Sequence, residues 1–247
     1  MQLVKRMLVK LGHHALTRGF RIPSPEFVSN YNQWGRTMDL IHRNNVNIVL
    51  DVGANRGHYA HHLRQSGYQG LIVSFEPIAA EHKRIVDRSN NDDLWQSFPW
   101  ALGAEDGQKP FNVLDTADGG ETVLSSFLTM TAASFSTKVQ NVEIRRLDSI
   151  LPEITKLIPD PRIFLKMDTQ GLDLHVWEGT GTWQDKVCLL QSEISVKPLY
   201  ADMPPYTQSL DVFGRAGFEL CDLFIVRRTS SGNILEYDSL MERKAPS

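Results

Sequence analysis

From about residue 48 to the end of the chain, short apolar runs alternate with amphipathic segments of helical spacing. Five apolar runs of strand length end near Asp51, Glu76, Ala101, Asp168 and Glu193. Strands that alternate with helices in this way form a parallel sheet with helices on both faces. The pattern therefore predicts an α/β protein built on one doubly wound, mostly parallel sheet.

The predicted elements follow from these runs and from the turn residues between them. The predicted strands are 48–51, 71–76, 96–101, 163–168 and 187–193, and the predicted helices are 58–65, 79–88, 172–179 and 206–216. Residues 111–114 and 142–147 are expected to be extended insertions. Near the C-terminus, two extended runs flank the turn-like Ser230–Asn233, which predicts a β-hairpin that adds an antiparallel strand to the sheet.

The first 44 residues differ from the rest, and we assign 1–44 to a basic helical extension and 45–247 to the main domain. Residues 1–21 have apolar positions at helical spacing, several basic residues and no acid before Glu26. Such a helix can pack on the domain or on a partner subunit. The alternative is that it lies on an anionic membrane surface.

Composition narrows the class of protein and its partners. The 247 residues are 41% hydrophobic and 22% charged, as in an ordinary globular protein, and the formal net charge of −3 gives no overall attraction to nucleic acid. Only Cys188 and Cys221 are present, which fits a reducing compartment. No apolar run approaches the ~18–20 residues of a membrane span. We expect a cytoplasmic protein, with peripheral membrane contact through residues 1–21 as an alternative, and no nucleic-acid partner.

The glycine turn after the first strand indicates the ligand. Asp51 and Glu76 end neighbouring strands, and α/β sheets bind ligands at these strand ends. An acid at the end of the second strand, such as Glu76, can accept hydrogen bonds from ribose hydroxyls. Dinucleotide sites need G-x-G-x-x-G, whereas Asn55 stands where the second glycine would be. Asp51 would also repel a phosphate and attract an ammonium group. The pattern favours S-adenosylmethionine, with a nicotinamide dinucleotide as the runner-up.

Several stretches together resemble the FkbM family of S-adenosylmethionine-dependent methyltransferases. The stretches are NIVLDVGANRGHYAHHLRQSGYQGLIVSFEP, FPWALGAEDG, RRLDSI, FLKMDTQGLDLHVWEG, LLQSEISVKPLYADMPPY and AGFEL. They cover roughly residues 45–240. The resemblance implies a class I (Rossmann-like) methyltransferase fold with a C-terminal hairpin. It also implies O-methylation of a small-molecule, glycan, glycolipid or polyketide-type acceptor.

The resemblance also implies which residues hold the cofactor. Asp51, Gly53, Asn55 and Gly57 would surround its methionine part, and Glu76 would bind the ribose. Trp100, Ala101 and Leu102 would lie near the adenine.

The candidate catalytic residues lie at the ends of the fourth and fifth strands. Methyl transfer to a hydroxyl needs a base for the proton, and Asp168 is placed to be that base. Lys166 lies two residues earlier, on the same face of the strand, and could stabilise the developing oxyanion. Glu193 could bind substrate or, with Asp168, a divalent cation such as Mg²⁺. The alternative for Asp168 and Lys166 is a structural ion pair.

One departure from the family pattern stands out. Many relatives have Asp-x-Glu-Gly where this chain has Asp168-Thr169-Gln170-Gly171. Gln170 carries no charge, which argues against an acid–base role at that position.

Two other functions stay open from the sequence: a nicotinamide-dependent oxidoreductase, and a non-catalytic nucleotide-binding scaffold.

Overall fold

The computed structural model describes residues 25–114, 137–198 and 203–244. The basic stretch of residues 1–21 lies outside these residues, so its role stays a prediction. Contacts divide the chain into two units, Met1–Thr37 and Met38–Ser247. The proposed boundary after residue 44 also stays a prediction.

The helices and strands alternate along most of the described chain. The strands are β1 (Ile48–Val52), β2 (Leu71–Phe75), β3 (Trp95–Phe98), β4 (Ala101–Leu102), β5 (Gly107–Leu114), β6 (Thr137–Arg145), β7 (Ile163–Met167), β8 (Val187–Ser195), β9 (Phe218–Arg228) and β10 (Ile234–Arg243). The helices are α1 (Pro25–Arg43), α2 (His58–Gln65), α3 (Ala79–Ser89), α4 (Leu147–Ile154), α5 (Asp173–Gly179) and α6 (Tyr206–Arg215), with a 3₁₀ helix at Gly181–Lys186.

Seven strands form the main sheet in the order β3-β2-β1-β7-β8-β10-β9. Strands β1, β2, β3, β7 and β8 are parallel, whereas β10 is antiparallel to both β8 and β9. The order runs outward from β1 in two directions, and right-handed crossovers then place the connecting helices on opposite faces. The predicted mostly parallel sheet with a C-terminal hairpin is confirmed.

The sequence determines this sheet through its apolar content. All five residues of β1, β2 and β7 are buried, as expected for central parallel strands covered on both faces. On one face Leu50, Val73 and Leu165 contribute to a continuous core with Trp177 and Phe213. The central strands therefore have little freedom to shift.

A second, three-stranded sheet has the order β4-β6-β5 and was not predicted as a sheet. The predicted strand 96–101 is wrong at its end, because the third strand stops at Phe98 and Ala101 pairs with Ile144 in this second sheet. Pro99 follows Phe98 and has no N–H to donate to a strand ladder. The predicted extended run 142–147 is also too long, since Leu147 begins helix α4.

The two cysteines are free thiols, with Cys188 buried and Cys221 partly exposed. Within the described ranges, no helix has both the length and the apolar character needed to span a bilayer.

The loop after β1 passes very close to the end of β7. A Cβ atom on Gly53 would lie 2.0 Å from the main-chain oxygen of Asp168. Gly53 also has φ +72°, which side chains of L-residues disfavour. Only glycine lets the tips of β1 and β7 approach this closely.

We predict that Gly53→Ala destabilises the protein by more than the roughly 1–2 kcal/mol of left-handed backbone strain alone. Gly67→Ala is the matched control, because Gly67 has φ +95° with open space around its Cβ position. Urea unfolding of both variants measures the difference. Equal losses of stability would show that the contact with Asp168 imposes no constraint.

Candidate active site

A pocket opens where the carboxyl ends of β1, β2 and β7 meet. Its wall comes from the loops after these strands and from the second sheet. The lining residues are Val52, Gly53, Asn55, Phe75, Glu76, Pro77, Ile78, Trp100, Ala101, Leu102, Phe111, Asp168, Thr169, Gln170 and Leu172. One carboxylate thus lies in the wall after β2 and another after β7, with apolar surface between them.

Glu76 is fixed by the backbone on both sides. Its Oε2 accepts a hydrogen bond from the N–H of Asn55 at 2.8 Å, and its Oε1 accepts one from the N–H of Ile78 at 2.8 Å. Asn55 has φ +47°, and this left-handed conformation belongs to the turn that presents its N–H to Glu76. Burial raises the pKa of Glu76 to about 7, and the two backbone hydrogen bonds oppose the rise. Each carboxylate oxygen keeps a further lone pair for a ligand hydroxyl.

Stacked rings support the aromatic part of the wall. Trp100 stacks on Phe98 with 4.6 Å between ring centroids, and Phe98 stacks on Phe75 at 5.9 Å. The guanidinium of Arg145 lies 5.5 Å from the centre of the Trp100 ring. The Phe75 and Trp100 rings, together with Ala101 and Leu102, give an apolar surface in the same pocket wall as Glu76.

Lys166 lies buried between two carboxylates behind the pocket wall. Its Nζ is 3.1 Å from Asp51 and 3.5 Å from Asp168. It also donates to the main-chain oxygen of Gly53 at 3.4 Å. Burial alone would lower the pKa of Lys166, but the charges of Asp51 and Asp168 outweigh that effect and raise it. Lys166 is therefore a permanent cation that joins the end of β1 to the end of β7.

Asp51 faces this cation and not the pocket. Its side chain is fully buried, and Ser74 donates to it at 3.5 Å. Burial raises the pKa of Asp51, while Lys166 opposes the rise. Asp51 lies opposite both Lys166 and Ser74 in the sheet register, so the three side chains share one face. The adjacent Val52 points to the other face and lines the pocket.

Asp168 and Glu193 are linked by the amide of Gln170. The Gln170 Nε2 donates to Asp168 Oδ1 at 3.2 Å and to Glu193 Oε2 at 2.7 Å. Burial and the nearby acidic residues, Asp168 foremost, raise the pKa of Glu193 well above its usual value. Glu193 lines a separate, smaller cavity together with Ser195, Met203 and Ser209. The amide bridge thus connects the wall of the main pocket to this second cavity.

The predicted site residues fall into two groups. Gly53, Asn55, Glu76, Trp100, Ala101, Leu102 and Asp168 line the main pocket. Asp51, Gly57, Lys166 and Glu193 lie behind or beside its wall. Gly57 packs inward, where an added Cβ would lie 3.1 Å from the Trp95 side chain. The roles given to all these residues stay predictions.

Sequence reasoning gave no role to Gln170, Phe111 or Ile78, although all three line the pocket. Gln170 stands where many relatives have Glu, and this difference was the sequence feature that could have indicated a role for Gln170. Phe111 lies on β5, and only the long-range pairing of the second sheet brings it to the pocket.

The family model described as "Methyltransferase FkbM domain" matches residues 51–220, which is more than half of the chain. The chain belongs to the FkbM family of S-adenosylmethionine-dependent methyltransferases. No curated protein matches its sequence.

Solved structures of methyltransferases resemble this FkbM protein in fold. A magnesium protoporphyrin IX methyltransferase from Synechocystis PCC 6803 with bound SAM has a TM-score of 0.47 at 10% identity, over 88% of this chain and 81% of that one. The precorrin-6y C5,15-methyltransferase from Geobacter metallireducens GS-15 has a TM-score of 0.42 at 10% identity, over 81% of each chain. An rRNA methylase from Streptococcus thermophilus has a TM-score of 0.44 at 11% identity, over 85% and 95%.

The part of the FkbM protein that the structure describes shows no set of ligands for the predicted divalent cation. Among residues 25–114, 137–198 and 203–244, no three or more His, Cys, Asp or Glu side chains are grouped so as to hold a metal ion. The amide of Gln170 stands between Asp168 and Glu193, the pair that the sequence suggested as ligands.

The raised pKa of Glu76 predicts how its replacement changes stability with pH. Glu76 loses its proton near pH 4.5 in the unfolded chain but near pH 7 in the folded protein. Its contribution to stability is therefore complete below pH 4.5 and is lost as the pH rises through about 7. Each pKa unit corresponds to about 1.4 kcal/mol. Relative to wild type, Glu76→Gln should gain a few kcal/mol between pH 4.5 and 8.

Unfolding free energies of both proteins across this pH range test the prediction. Other acids titrate in both proteins alike, so they cancel in the difference. A constant difference between the two proteins would mean that Glu76 titrates near pH 4.5 in the folded state.

Proposed function

We propose that this protein transfers the methyl group of S-adenosylmethionine to a hydroxyl oxygen of a small-molecule or glycan-type acceptor. The observation that carries the proposal is the position of Asp168. Its partly exposed carboxylate lies in the wall of the same pocket that holds Glu76 and the aromatic surface. The pocket thus combines groups suited to a nucleoside with a carboxylate that can take a proton.

The pocket residues fit the cofactor's chemistry. Glu76 keeps acceptor capacity for the two ribose hydroxyls after binding the N–H groups of Asn55 and Ile78. Trp100, Ala101 and Leu102 offer an apolar surface for the adenine ring. The turn at Gly53 lines the pocket at the tip of β1 and lies directly against the end of β7. When bound, S-adenosylmethionine supplies a methyl group on a positively charged sulfur.

The residues of the chain then have to orient the acceptor and remove its proton. A hydroxyl oxygen that forms a bond to the methyl carbon must lose its hydrogen, and Asp168 accepts that proton. The carbon–sulfur bond breaks as the oxygen–carbon bond forms, and the electron pair stays on sulfur. The products are a methyl ether, the neutral thioether and a protonated Asp168, so charge and atoms balance.

Lys166 would assist through Asp168. Its charge is shared with the buried Asp51, and its Nζ lies behind the pocket wall. We assign it to holding the Asp168 carboxylate in place. The developing oxyanion would then be neutralised mainly by proton transfer. Alignment of the two substrates supplies the remaining part of the rate enhancement.

We predict that Asp168→Asn lowers turnover by about 10²- to 10⁴-fold, as expected for a lost general base. Affinity for S-adenosylmethionine should change little, because Glu76 and the aromatic surface are untouched. The matched control is Asp160→Asn, at the opposite end of β7, where Asp160 pairs with Lys186 on the surface. Calorimetry measures cofactor binding, and labelled cofactor with a panel of glycoside and small-alcohol acceptors measures turnover.

Three outcomes would contradict the proposal. Tight NAD binding without S-adenosylmethionine binding would favour an oxidoreductase. Cofactor binding without transfer to any acceptor would favour a scaffold. Normal turnover by Asp168→Asn would make Asp168 a structural ion-pair residue. Loss of activity with EDTA and recovery with Mg²⁺ would instead assign a divalent cation to the reaction.

A further inference from the structure

The Asp168 carboxylate is held at both of its oxygens. Lys166 Nζ lies 3.5 Å from Oδ2, and Gln170 Nε2 donates to Oδ1 at 3.2 Å. The two hydrogens of the Gln170 amide nitrogen suit two acceptors, and the second is Glu193 Oε2 at 2.7 Å. The orientation of Asp168 therefore depends on a neutral donor between two acids.

Gln170 has little freedom to move. It is only 5% exposed and has φ +53°, in the turn between β7 and α5. Gly171 follows it with φ +99°, and the turn is closed by Asp173, whose carboxylate accepts from the N–H and hydroxyl of Thr169. A side chain fixed in this way can set the direction of its neighbours.

We infer that Gln170 is a positioning residue that directs the Asp168 carboxylate into the pocket during methyl transfer. The inference rests on the proposed function. In this chain the donor is a neutral amide, whereas a third carboxylate at this position would face Asp168 and Glu193 at hydrogen-bond distance. Like charges this close force one of the groups to keep a proton.

The charged surroundings make the site sensitive to an added acid. The groups that face Asp168 and Glu193 come from the strands and the helix packed around them: Asp51 on β1, Lys166 on β7, Asp173 on α5, and Glu236 and Asp238 on β10. Lys166 is the cation among these five groups. Arg227 on β9 pairs with Glu236, which leaves Lys166 as the cation that faces Asp168. Replacing the amide with a carboxylate adds a further acid to this group.

Three variants separate positioning from simple structural support. Gln170→Glu keeps the shape and adds a charge, whereas Gln170→Met keeps the length and removes the donor. Gln184→Glu is the control, since the amide of Gln184 donates to the carbonyl of Trp177 outside the pocket wall. We expect Gln170→Met to lower kcat by about 10-fold or more, because the base is misdirected, with a smaller change in cofactor affinity. For Gln170→Glu, the acid limb of the pH–rate profile should move up by about 1 pH unit or more.

A measurement without turnover distinguishes this inference from the proposed function. Carbon-13 NMR of labelled carboxyl groups follows the titration of the acids in the protein without ligands. The highest carboxyl titration midpoint should rise in Gln170→Glu and stay unchanged in Gln184→Glu. If wild type methylates no acceptor but this rise occurs, the proposed function fails and the coupling of Gln170 to the acids stands.

The inference is overturned if both Gln170 variants keep the wild-type pH–rate profile and kcat. It is also overturned if the carboxyl titrations of Gln170→Glu match those of wild type. Should Gln170→Glu fail to fold, the kcat and cofactor affinity of Gln170→Met decide the question alone.

Discussion

The buried contact of Lys166 with Asp51 and Asp168 is the interaction on which the rest of the site depends. A cation and an anion removed from water each pay a large desolvation cost, which only close pairing offsets. Lys166 sits within 3.5 Å of both acids and also reaches the carbonyl of Gly53. One side chain thus fixes the tips of β1 and β7 against each other. The pocket opens between these tips and the end of β2.

The remaining parts of the pocket follow from that junction. Because the two tips are so close, the residue at position 53 can carry no side chain, and the turn beyond it brings the N–H of Asn55 to Glu76. The backbone hydrogen bonds hold Glu76 in the wall even though burial favours its protonated form. On the other side, Gln170 continues the chain of contacts from Asp168 to Glu193. A ligand in the pocket would therefore contact Glu76 and Asp168. Different parts of the backbone set the positions of these two acids.

The sequence predicted the parts of this structure that depend on local pattern. Helix 58–65 matches α2, and the strands after Asn47, Gly70 and Arg162 start where the apolar runs begin. The second sheet was missed because β4 has only two residues, and its pairing with Ile144 and Arg145 spans about 40 positions of sequence. The sequence predicts that Asp51 contacts the methionine part of the cofactor, and that role stays a prediction. Strand alternation turns the Asp51 side chain toward Lys166. This contact depends on the neighbouring strand, which a local pattern does not show.

The most direct test of this account is the coupling free energy between Asp51 and Lys166 from a double-mutant cycle. Unfolding free energies are measured for wild type, Asp51→Asn, Lys166→Met and the double variant. Lys166→Met leaves Asp51 buried without its cation and should cost about 3–5 kcal/mol. The double variant should be more stable than Lys166→Met alone, with a coupling of at least about 1 kcal/mol. Additive losses, with no recovery in the double variant, would contradict the claim that this ion contact fixes the site.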